Sequence, residues 1–251
     1  MLLREKVALV TGAARGIGAA IAEGLAIAGA DIVIAELPGQ EEKKQEVKKN
    51  IELAGRRCEF VEIDVTNKSS VDAAITDATN KMGKIDILVN NAGILIPSLL
   101  TDIDENNWDR HFDVNSKGVL FCTQAVLPQM RMRKSGRIIN IASLAARQGI
   151  PTEGHYAATK ATVVTQTKVF AQEIGQEGIT VNAICPGIIL TEMAMNKLGT
   201  QEETQHWAQM TSLKRLGYPS DVAGAAVFFA SDLANYVTGQ SLNVCGGLYF
   251  H

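Results

Sequence analysis

The stretch from Val7 to Gly18, VALVTGAARGIG, decides the fold of this chain of 251 residues. It opens with an apolar run of the kind that forms a buried β-strand. Glycines follow in the spacing GxxxGxG, and the small residues Ala19 to Ala26 then predict a helix. A strand, a glycine turn and a helix in this order direct backbone N–H groups and the positive helix end toward an anion.

Each glycine of this loop has its own expected role. Gly12 allows the tight turn, Gly16 lets the backbone approach a pyrophosphate, and Gly18 lets the helix pack close to the strand. The spacing differs from both the GxGxxG fingerprint and the phosphate loop of nucleoside triphosphatases. We therefore predict a dinucleotide cradle, to which Arg15 and Ile17 also belong.

The second predicted strand ends in an acidic residue, Glu36. A carboxylate at this strand tip can accept a hydrogen bond from a ribose 2′-OH and repel a 2′-phosphate, which favours NAD over NADP. Arg15 argues for NADP, because a guanidinium beside the loop can pair with a 2′-phosphate. Glu36 carries more weight because it occupies the expected position, so NAD is the predicted cofactor and NADP the alternative.

A second motif lies farther along the chain, where Tyr156 and Lys160 stand four residues apart and Ser143 ends an apolar run. Positions i and i+4 share one helix face. A phenol has a pKa of ~10, and a fixed cation beside it is expected to lower that value. The motif predicts a phenol tuned for proton transfer to or from an alcohol or carbonyl oxygen. By itself the motif is weak, because a tyrosine and a lysine four residues apart on a helix usually just cover the surface.

The composition indicates one ordinary globular domain, residues 1–251, with 46% hydrophobic and 20% charged residues. A net charge of −3 gives no reason to expect nucleic acid or an anionic membrane as a partner. A leader-like segment and a membrane-length apolar stretch are not evident, so we expect a cytoplasmic protein. The cysteines lack metal-ligand spacing, and we predict no metal and reduced thiols at Cys58, Cys122, Cys185 and Cys245.

Strand-like and helix-like segments alternate along the whole chain. Strands are predicted near 7–10, 31–35, 58–63, 86–90, 137–142, 179–184 and 241–245. Helices are predicted at 17–28, 41–54, 69–82, 105–134, 155–175, 192–209 and 220–230. This alternation predicts an α/β fold, a doubly wound, Rossmann-like parallel sheet with helices on both faces. Ligands of such sheets bind beyond the carboxyl ends of the strands, where Gly12, Glu36, Asp64, Asn90 and Ser143 fall.

Taken together, these motifs resemble the short-chain dehydrogenase/reductase family, in register over essentially the whole chain. The resemblance is carried by TGAARGIG (11–18), Asp64-Val65, Asn90-Asn91-Ala92-Gly93, Asn115, Ser143, YAATK (156–160) and Pro186-Gly187. It implies an oxidoreductase that uses NAD or NADP.

The resemblance also implies roles for individual residues. Ser143 would hold the substrate oxygen, Tyr156 would transfer the proton and also contact the cofactor, and Lys160 would hold the cofactor ribose. Asn115 would lie in a kinked helix beside a proton-relaying water. Contacts to the cofactor would come from Asp64 and Val65 at the adenine, from Asn91, Ala92 and Gly93, and from Pro186, Gly187, Ile189 and Thr191 at the nicotinamide.

The substrate pocket would follow the fourth, fifth and sixth strands. Leu95, Ile96, Met193, Met195 and Leu198 suggest an apolar wall. Arg147, Gln148, Glu153 and His155 can bind hydroxyls or a small polar group. This mixture fits a secondary alcohol, a diol or a polyol. Two alternatives stay open: His155 binds substrate or faces solvent, and 192–209 closes as a lid or is a fixed helix pair.

Three functions compete. The first is an NAD-dependent dehydrogenase of secondary alcohols, diols or polyols, acting on a small-molecule substrate. The second is an NADPH-dependent 3-ketoacyl or other carbonyl reductase, which would want a basic residue after the second strand, where Glu36-Leu37-Pro38 supplies none. The third is a dinucleotide-binding sensor or scaffold without activity, against which the intact Ser143, Tyr156 and Lys160 argue.

The predicted helix 155–175 is apolar around much of its circumference, which indicates burial beyond one sheet face. The family resemblance implies a homotetramer that pairs this helix and the preceding long helix across an interface. One position departs from many relatives, because Cys245 stands where they place an acid before Gly246-Gly247. We have no account of its effect.

Overall fold

The computed structural model describes residues 1–192, 194–195 and 199–250. Within these ranges seven parallel strands form one sheet in the order β3-β2-β1-β4-β5-β6-β7. The strands are β1 (Val7–Thr11), β2 (Asp31–Glu36), β3 (Cys58–Glu62), β4 (Ile87–Asn90), β5 (Gly136–Ile141), β6 (Ile179–Pro186) and β7 (Ser241–Val244). The predicted doubly wound sheet is confirmed.

Helices connect the strands and cover both faces of the sheet. They are α1 (Gly16–Ile27), α2 (Glu41–Leu53), α3 (Lys68–Met82), α4 (Glu105–Phe112), α5 (Gly118–Arg133), α6 (Ala145–Gln148), α7 (Gly154–Ile174), α8 (Gln201–Met210) and α9 (Pro219–Ala230). Helix α6 was not predicted from the sequence, because four residues are too few to display a helical period. None of the helices within the described ranges is long and apolar enough to span a bilayer.

Two apolar layers hold the sheet, because successive strand residues point to opposite faces. Ala8 and Val10 of β1 pack with residues of α1 and α9, whereas Leu9 packs with residues of α3 and α5. Each fully buried Leu or Ile side chain contributes roughly 1.5–3 kcal/mol relative to exposure. The central strands are thus buried on both faces, as parallel sheets require.

The topology places a crevice between β1 and β4. The chain runs from β1 outward through β2 to β3 and then returns to β4 on the other side of β1. The connections after neighbouring strands diverge at this switch point, which leaves a cleft beyond their carboxyl ends. The glycine loop after β1 and the Asn91–Gly93 turn after β4 border this cleft.

The predicted helical region 192–209 is only partly described. Helix α8 occupies its C-terminal half and begins with a capping box between Thr200 and Glu203. Glu192, Ala194 and Met195 are also helical. Two residues of the predicted apolar wall, Met193 and Leu198, lie outside the described residues. The two alternatives for this region, a closing lid and a fixed helix pair, both stay open.

Candidate active site

The glycine loop after β1 has a backbone that side chains would obstruct. Gly12 and Gly16 adopt φ angles of +65° and +59°, in the left-handed region that favours glycine. A Cβ on Gly18 would lie 2.2 Å from the carbonyl oxygen of Gly12 and 2.4 Å from Nδ2 of Asn91. Helix α1 therefore packs against the loop at a distance that only glycine permits, and the loop is left as bare backbone.

The N-terminus of α1 supplies the donors of this cradle. Arg15 is its N-cap residue, and within the part of the chain described here its side chain makes no hydrogen bond to the first turn. The first N–H groups of a helix have no partner within the helix, so they can donate to an anion. A pyrophosphate fits this arrangement of bare loop and helix end.

Charged side chains flank the cradle. Oε2 of Glu36 accepts a hydrogen bond of 3.2 Å from the Ala14 backbone N–H, so the carboxylate lies against the loop at the tip of β2. The Arg15 guanidinium pairs with the Glu192 carboxylate at 2.8 Å, and Lys43 approaches the same carboxylate at 3.2 Å. These cations lower the pKa of Glu192 below its usual value. Both Glu36 and Arg15 therefore stand beside the cleft, as the sequence predicts.

Thr11 joins the two borders of the cleft, which the sequence analysis did not foresee. Its hydroxyl oxygen accepts hydrogen bonds of 3.0 Å from the backbone N–H groups of Asn91 and Ala92. The Asn91 side-chain amide donates in return to the Thr11 and Gly12 carbonyl oxygens, each at 2.9 Å. A hydroxyl at the end of an apolar strand carries no signal of a partner about eighty residues away.

The Asp64-Val65 segment follows β3 at the outer end of the cleft. Oδ1 of Asp64 accepts hydrogen bonds from the Thr66 N–H at 2.9 Å and the Thr66 hydroxyl at 2.7 Å. The Asp64 N–H donates to the Ser70 hydroxyl at 2.9 Å. Val65 is buried, and a Cβ on Gly118 would come within 2.9 Å of its side chain. The segment is a firmly held turn.

Asn90 stands at the carboxyl end of β4, and its side chain is buried. It is the last residue of β4, and its side-chain amide is buried and donates to Oδ1 of Asn140 on β5 at 2.8 Å. Asn140 in turn donates to the Thr167 hydroxyl on α7 at 2.9 Å. Asn90 therefore lies at the carboxyl end of its strand, as predicted, but its amide is satisfied inside the protein by Asn140 and by the Thr123 hydroxyl of α5.

Asn115 lies in a π-helical turn, Asp113–Lys117, between α4 and α5. Its side chain is fully buried and holds the backbone of Ile94 from both sides: Oδ1 accepts from the Ile94 N–H at 2.8 Å, and Nδ2 donates to the Ile94 carbonyl at 3.0 Å. Nδ2 also donates to the Thr159 hydroxyl at 3.1 Å. The π turn interrupts the regular α-helix at the position where the resemblance implies a kink.

The predicted catalytic side chains converge at the carboxyl end of β5. The Ser143 hydroxyl stands close enough to the Tyr156 hydroxyl to lower the pKa of the phenol. The Lys160 ammonium lies 5.7 Å from the centre of the Tyr156 ring and donates to the Ile141 carbonyl at 2.8 Å. A Cβ on Gly93 would lie 3.4 Å from Nζ of Lys160 and 3.2 Å from Oδ1 of Asn115. The Asn115 side-chain amide and the Lys160 ammonium therefore both lie beside Gly93.

The pKa values of Tyr156 and Lys160 are both shifted by burial, and the shift of Tyr156 is opposite to the one expected. Burial raises the pKa of Tyr156 to about 12, and the nearby Ser143 hydroxyl offsets only part of this rise. Burial also lowers the pKa of Lys160 to about 8. The expected depression of the phenol pKa is wrong for the protein alone, because burial raises this pKa and the nearby Glu153 and Cys185 add to the rise.

The segment after β6 crosses from the sheet to the glycine loop. Pro186 ends β6, and the Gly187 N–H donates to the Val244 carbonyl at 2.9 Å. Ile189 is buried in the core, so only its backbone can contact a ligand. A Cβ on Gly16 would lie 3.5 Å from Cγ2 of Thr191, which places the threonine opposite the loop.

Two of the predicted substrate residues have other partners. The side chain of Arg147 donates to the Ser241 carbonyl on β7 at 3.1 Å. His155 is completely buried, and its Nε2 lies 3.0 Å from the Ile96 carbonyl oxygen, so it does not face solvent. His111, for which the sequence analysis had no role, is equally buried and packs edge-on against His155 at 4.1 Å. Nothing in the sequence signalled this pair.

The side chains give less support for a metal ion or for a reactive cysteine. Across the described ranges, His, Cys, Asp and Glu side chains do not assemble into a group of three that could hold a metal ion. The cysteines are free thiols; Cys58, Cys122 and Cys185 are buried and Cys245 is half-buried. Burial raises the pKa of Cys58 and Cys122 to about 12, so these thiols are unreactive at neutral pH.

Comparison with known proteins places this site in a family. A family model described as enoyl-(acyl carrier protein) reductase matches residues 12–249. The chain is 41% identical to a 3-oxoacyl-(acyl-carrier-protein) reductase of Staphylococcus epidermidis, over 98% of this chain and 99% of the relative. It is 42% identical to L-2,3-butanediol dehydrogenase of Corynebacterium glutamicum, over 98% of this chain and 100% of the relative.

Solved structures agree with these relatives. A gluconate 5-dehydrogenase from Burkholderia cenocepacia J2315, solved in complex with NADP and tartrate, superposes with a TM-score of 0.92 and 37% identity. The match covers 98% of this chain and 96% of that one. The chain has the nucleotide cradle, the group of Ser143, Tyr156 and Lys160, and close relatives of known activity. It therefore belongs to the short-chain dehydrogenase/reductase family and is an NAD(P)-dependent oxidoreductase.

Proposed function

We propose that this enzyme is an NAD-dependent dehydrogenase that oxidises a secondary alcohol, diol or polyol to its ketone and catalyses the reverse reduction. The observation that carries the proposal is the placement of Ser143 beside Tyr156, with the Lys160 ammonium 5.7 Å from the centre of the phenol ring. A binding protein has no need of this set, because its only evident use is to move a proton at a substrate oxygen.

In the proposed mechanism, Ser143 donates a hydrogen bond to the substrate oxygen and holds it beside the phenol. Tyr156 takes the hydroxyl proton during oxidation and returns it during reduction. NAD, when bound, supplies the hydride acceptor and donor. Because burial disfavours the phenolate, Lys160 has to supply positive charge near the phenol oxygen, and it is protonated below a pH of about 8.

The residues that would hold the cofactor border one cleft. Gly12, Gly16 and Gly18 with the start of α1 would bind the pyrophosphate, and Glu36 would accept a hydrogen bond from the adenosine ribose. Asp64 and Val65 would contact the adenine, and Thr191 with the 186–189 backbone would contact the nicotinamide. Support for NAD comes from the Glu36 carboxylate, which lies against the loop and would repel a 2′-phosphate.

The second candidate is an NADPH-dependent 3-ketoacyl reductase. The 41% identity to the Staphylococcus epidermidis reductase favours it, as does the NADP in the gluconate 5-dehydrogenase structure. Arg15 is the side chain that would meet a 2′-phosphate. The pairing of Arg15 with Glu192 counts against this candidate, because a phosphate would have to displace a carboxylate from the guanidinium.

One experiment separates the candidates. Purified enzyme is supplied with NAD⁺ or NADP⁺ and a panel of diols, polyols and hydroxy acids, and in the reverse direction with NADH or NADPH and a 3-ketoacyl thioester. The absorbance of the reduced nicotinamide reports the rate. We expect turnover of a diol or polyol with NAD⁺. Turnover of the thioester with NADPH and of no alcohol with NAD⁺ would establish the second candidate instead.

We further propose that the chain acts as one domain in a cytoplasmic homotetramer. Helix α7 supports the assembly, because Val169 on it is 43% exposed and half-buried Ala157, Ala158 and Phe170 lie on the same helix. The free thiols support a reducing compartment. Gel filtration with light scattering measures the mass, and a monomer at working concentration would contradict the tetramer.

A further inference from the structure

We infer that His111 and His155 are positioning residues that clamp the Ile96 peptide of the substrate pocket. The inference rests on the proposed function, since it concerns the wall beside Tyr156.

The two histidines hydrogen-bond the backbone N–H and the backbone carbonyl of the same residue, Ile96. The Ile96 N–H donates to Nε2 of His111 at 3.2 Å, and the Ile96 carbonyl accepts from Nε2 of His155 at 3.0 Å. Both imidazoles are 0% exposed, whereas the Ile96 side chain is 39% exposed. The buried side chains thus hold the backbone of a residue whose own side chain is left accessible.

The hydrogen bonds determine which nitrogen of each ring carries the proton. Nδ1 of His111 lies 2.7 Å from the Asn107 carbonyl, and a carbonyl only accepts, so Nδ1 is the protonated nitrogen. Nε2 of His111 is then the acceptor that the Ile96 N–H requires. His155 needs the opposite tautomer, with the proton on Nε2, and its buried Nδ1 has no partner among the described residues. The His111 ring is therefore neutral when the clamp is closed.

Neighbouring bonds extend the clamp along the same segment. Asn115 holds both polar groups of Ile94, two residues earlier. The Ser98 N–H, two residues later, donates to the Thr152 carbonyl at 2.8 Å. Alternate residues of the segment 94–98 are thus fixed to α4, to the π turn and to the start of α7.

The consequence is a defined distance between this wall and the reacting groups. His155 directly precedes Tyr156 on α7, so the bond to Ile96 ties the wall to the helix that carries the phenol. Loss of the tie would let segment 94–98 move while the glycine cradle stays intact. We expect the substrate to lose affinity and the cofactor to keep it.

The test compares His155→Leu with His155→Gln. Glutamine can place its side-chain N–H near the position of Nε2, whereas leucine removes the donor and leaves the Ile96 carbonyl unpaired. We expect His155→Leu to raise the KM for the alcohol roughly tenfold and to leave the KM for the cofactor within about twofold. His155→Gln should restore most of this loss. His111→Gln, which keeps an acceptor for the Ile96 N–H, should behave like His155→Gln.

Hydrogen–deuterium exchange gives a readout that does not depend on activity. Amides of a peptide spanning 94–98 should exchange faster in His155→Leu than in the wild type or in His155→Gln. Thr167→Val, which disturbs a buried bond elsewhere on α7, is the matched control and should leave both this exchange and the alcohol KM unchanged. Equal effects of leucine and glutamine, or a parallel rise in the cofactor KM, would overturn the clamp. Faster exchange in an enzyme that oxidises no alcohol would uphold the clamp and refute the proposed function.

Discussion

The Lys160 ammonium lies 5.7 Å from the centre of the Tyr156 ring and donates its hydrogen bond to the Ile141 carbonyl at the end of β5. The lysine is thus anchored to the sheet and stands beside the phenol without a hydrogen bond to it. Burial raises the pKa of Tyr156 to about 12, so the phenol holds its proton at neutral pH. The site of the protein alone is poised to donate a proton, and oxidation requires additional positive charge.

Replacing Tyr156 by Phe should lower turnover by about 10²–10⁴-fold, the usual contribution of a positioned acid or base. The dissociation constant of the cofactor, measured by nucleotide fluorescence, should change little, because the cradle is built by other residues. Tyr236→Phe is the matched control, since Tyr236 is fully exposed. Equal losses of turnover and cofactor binding in Tyr156→Phe would contradict the assigned role.

Lys160 should couple stability to pH. Burial lowers its pKa from 10.5 to about 8, so between these values the unfolded chain binds more protons at this position than the folded chain. Stability therefore rises with pH across this window and is lower below it, where the folded lysine is charged and buried. The free energy of unfolding of the wild type, minus that of Lys160→Met, should increase by up to about 3 kcal/mol from pH 8 to 10.5.

Chemical denaturation of both proteins across this pH range measures that difference. Taking the difference removes the opposite trend from the buried thiols, whose raised pKa values make the folded state bind more protons at high pH. A difference that stays flat with pH would show that the lysine is hydrated in the folded protein.

Neutralising Glu36 should relax the choice of cofactor. Glu36→Gln keeps the shape of the side chain but removes the charge that would repel a 2′-phosphate, so we expect the ratio of kcat/KM for NAD⁺ over NADP⁺ to fall about tenfold or more. Glu62→Gln, at the paired position of β3, is the matched control and should leave the ratio unchanged. A wild type that already prefers NADP⁺ would refute the role given to Glu36.

Adding one methyl group to the cradle should abolish cofactor binding. In Gly18→Ala the new Cβ would lie 2.2 Å from the Gly12 carbonyl oxygen, so α1 has to shift, at a cost of about 1–3 kcal/mol in stability. Gly224→Ala in α9 is the matched control, because its Cβ meets no atom within 4 Å, and it should stabilise the helix by about 0.5–1 kcal/mol. Calorimetric titration with NAD⁺ measures binding, and undiminished binding by Gly18→Ala would refute the close packing.

Local patterns were enough to predict the sheet and the catalytic group. The glycine spacing, the alternation of strands with helices and the Tyr156 to Lys160 spacing each involve residues close together in the chain, and backbone sterics give these patterns a defined geometry. The boundaries of most helices and strands follow from the same patterns. The turn after β4 was also foreseen, although its Asn90 belongs to the sheet.

Only the tertiary structure decided how these parts meet. Thr11 contacts Asn91 and Ala92, Arg15 pairs with Glu192 at a separation of 177 residues, and His111 and His155 close on Ile96. The pKa of Tyr156 likewise depends on burial, which local sequence does not specify. The sequence by itself therefore determined the fold and the chemistry of the side chains. Packing determined their partners and their protonation, because hydrogen bonds and hydration depend on which distant residues come into contact.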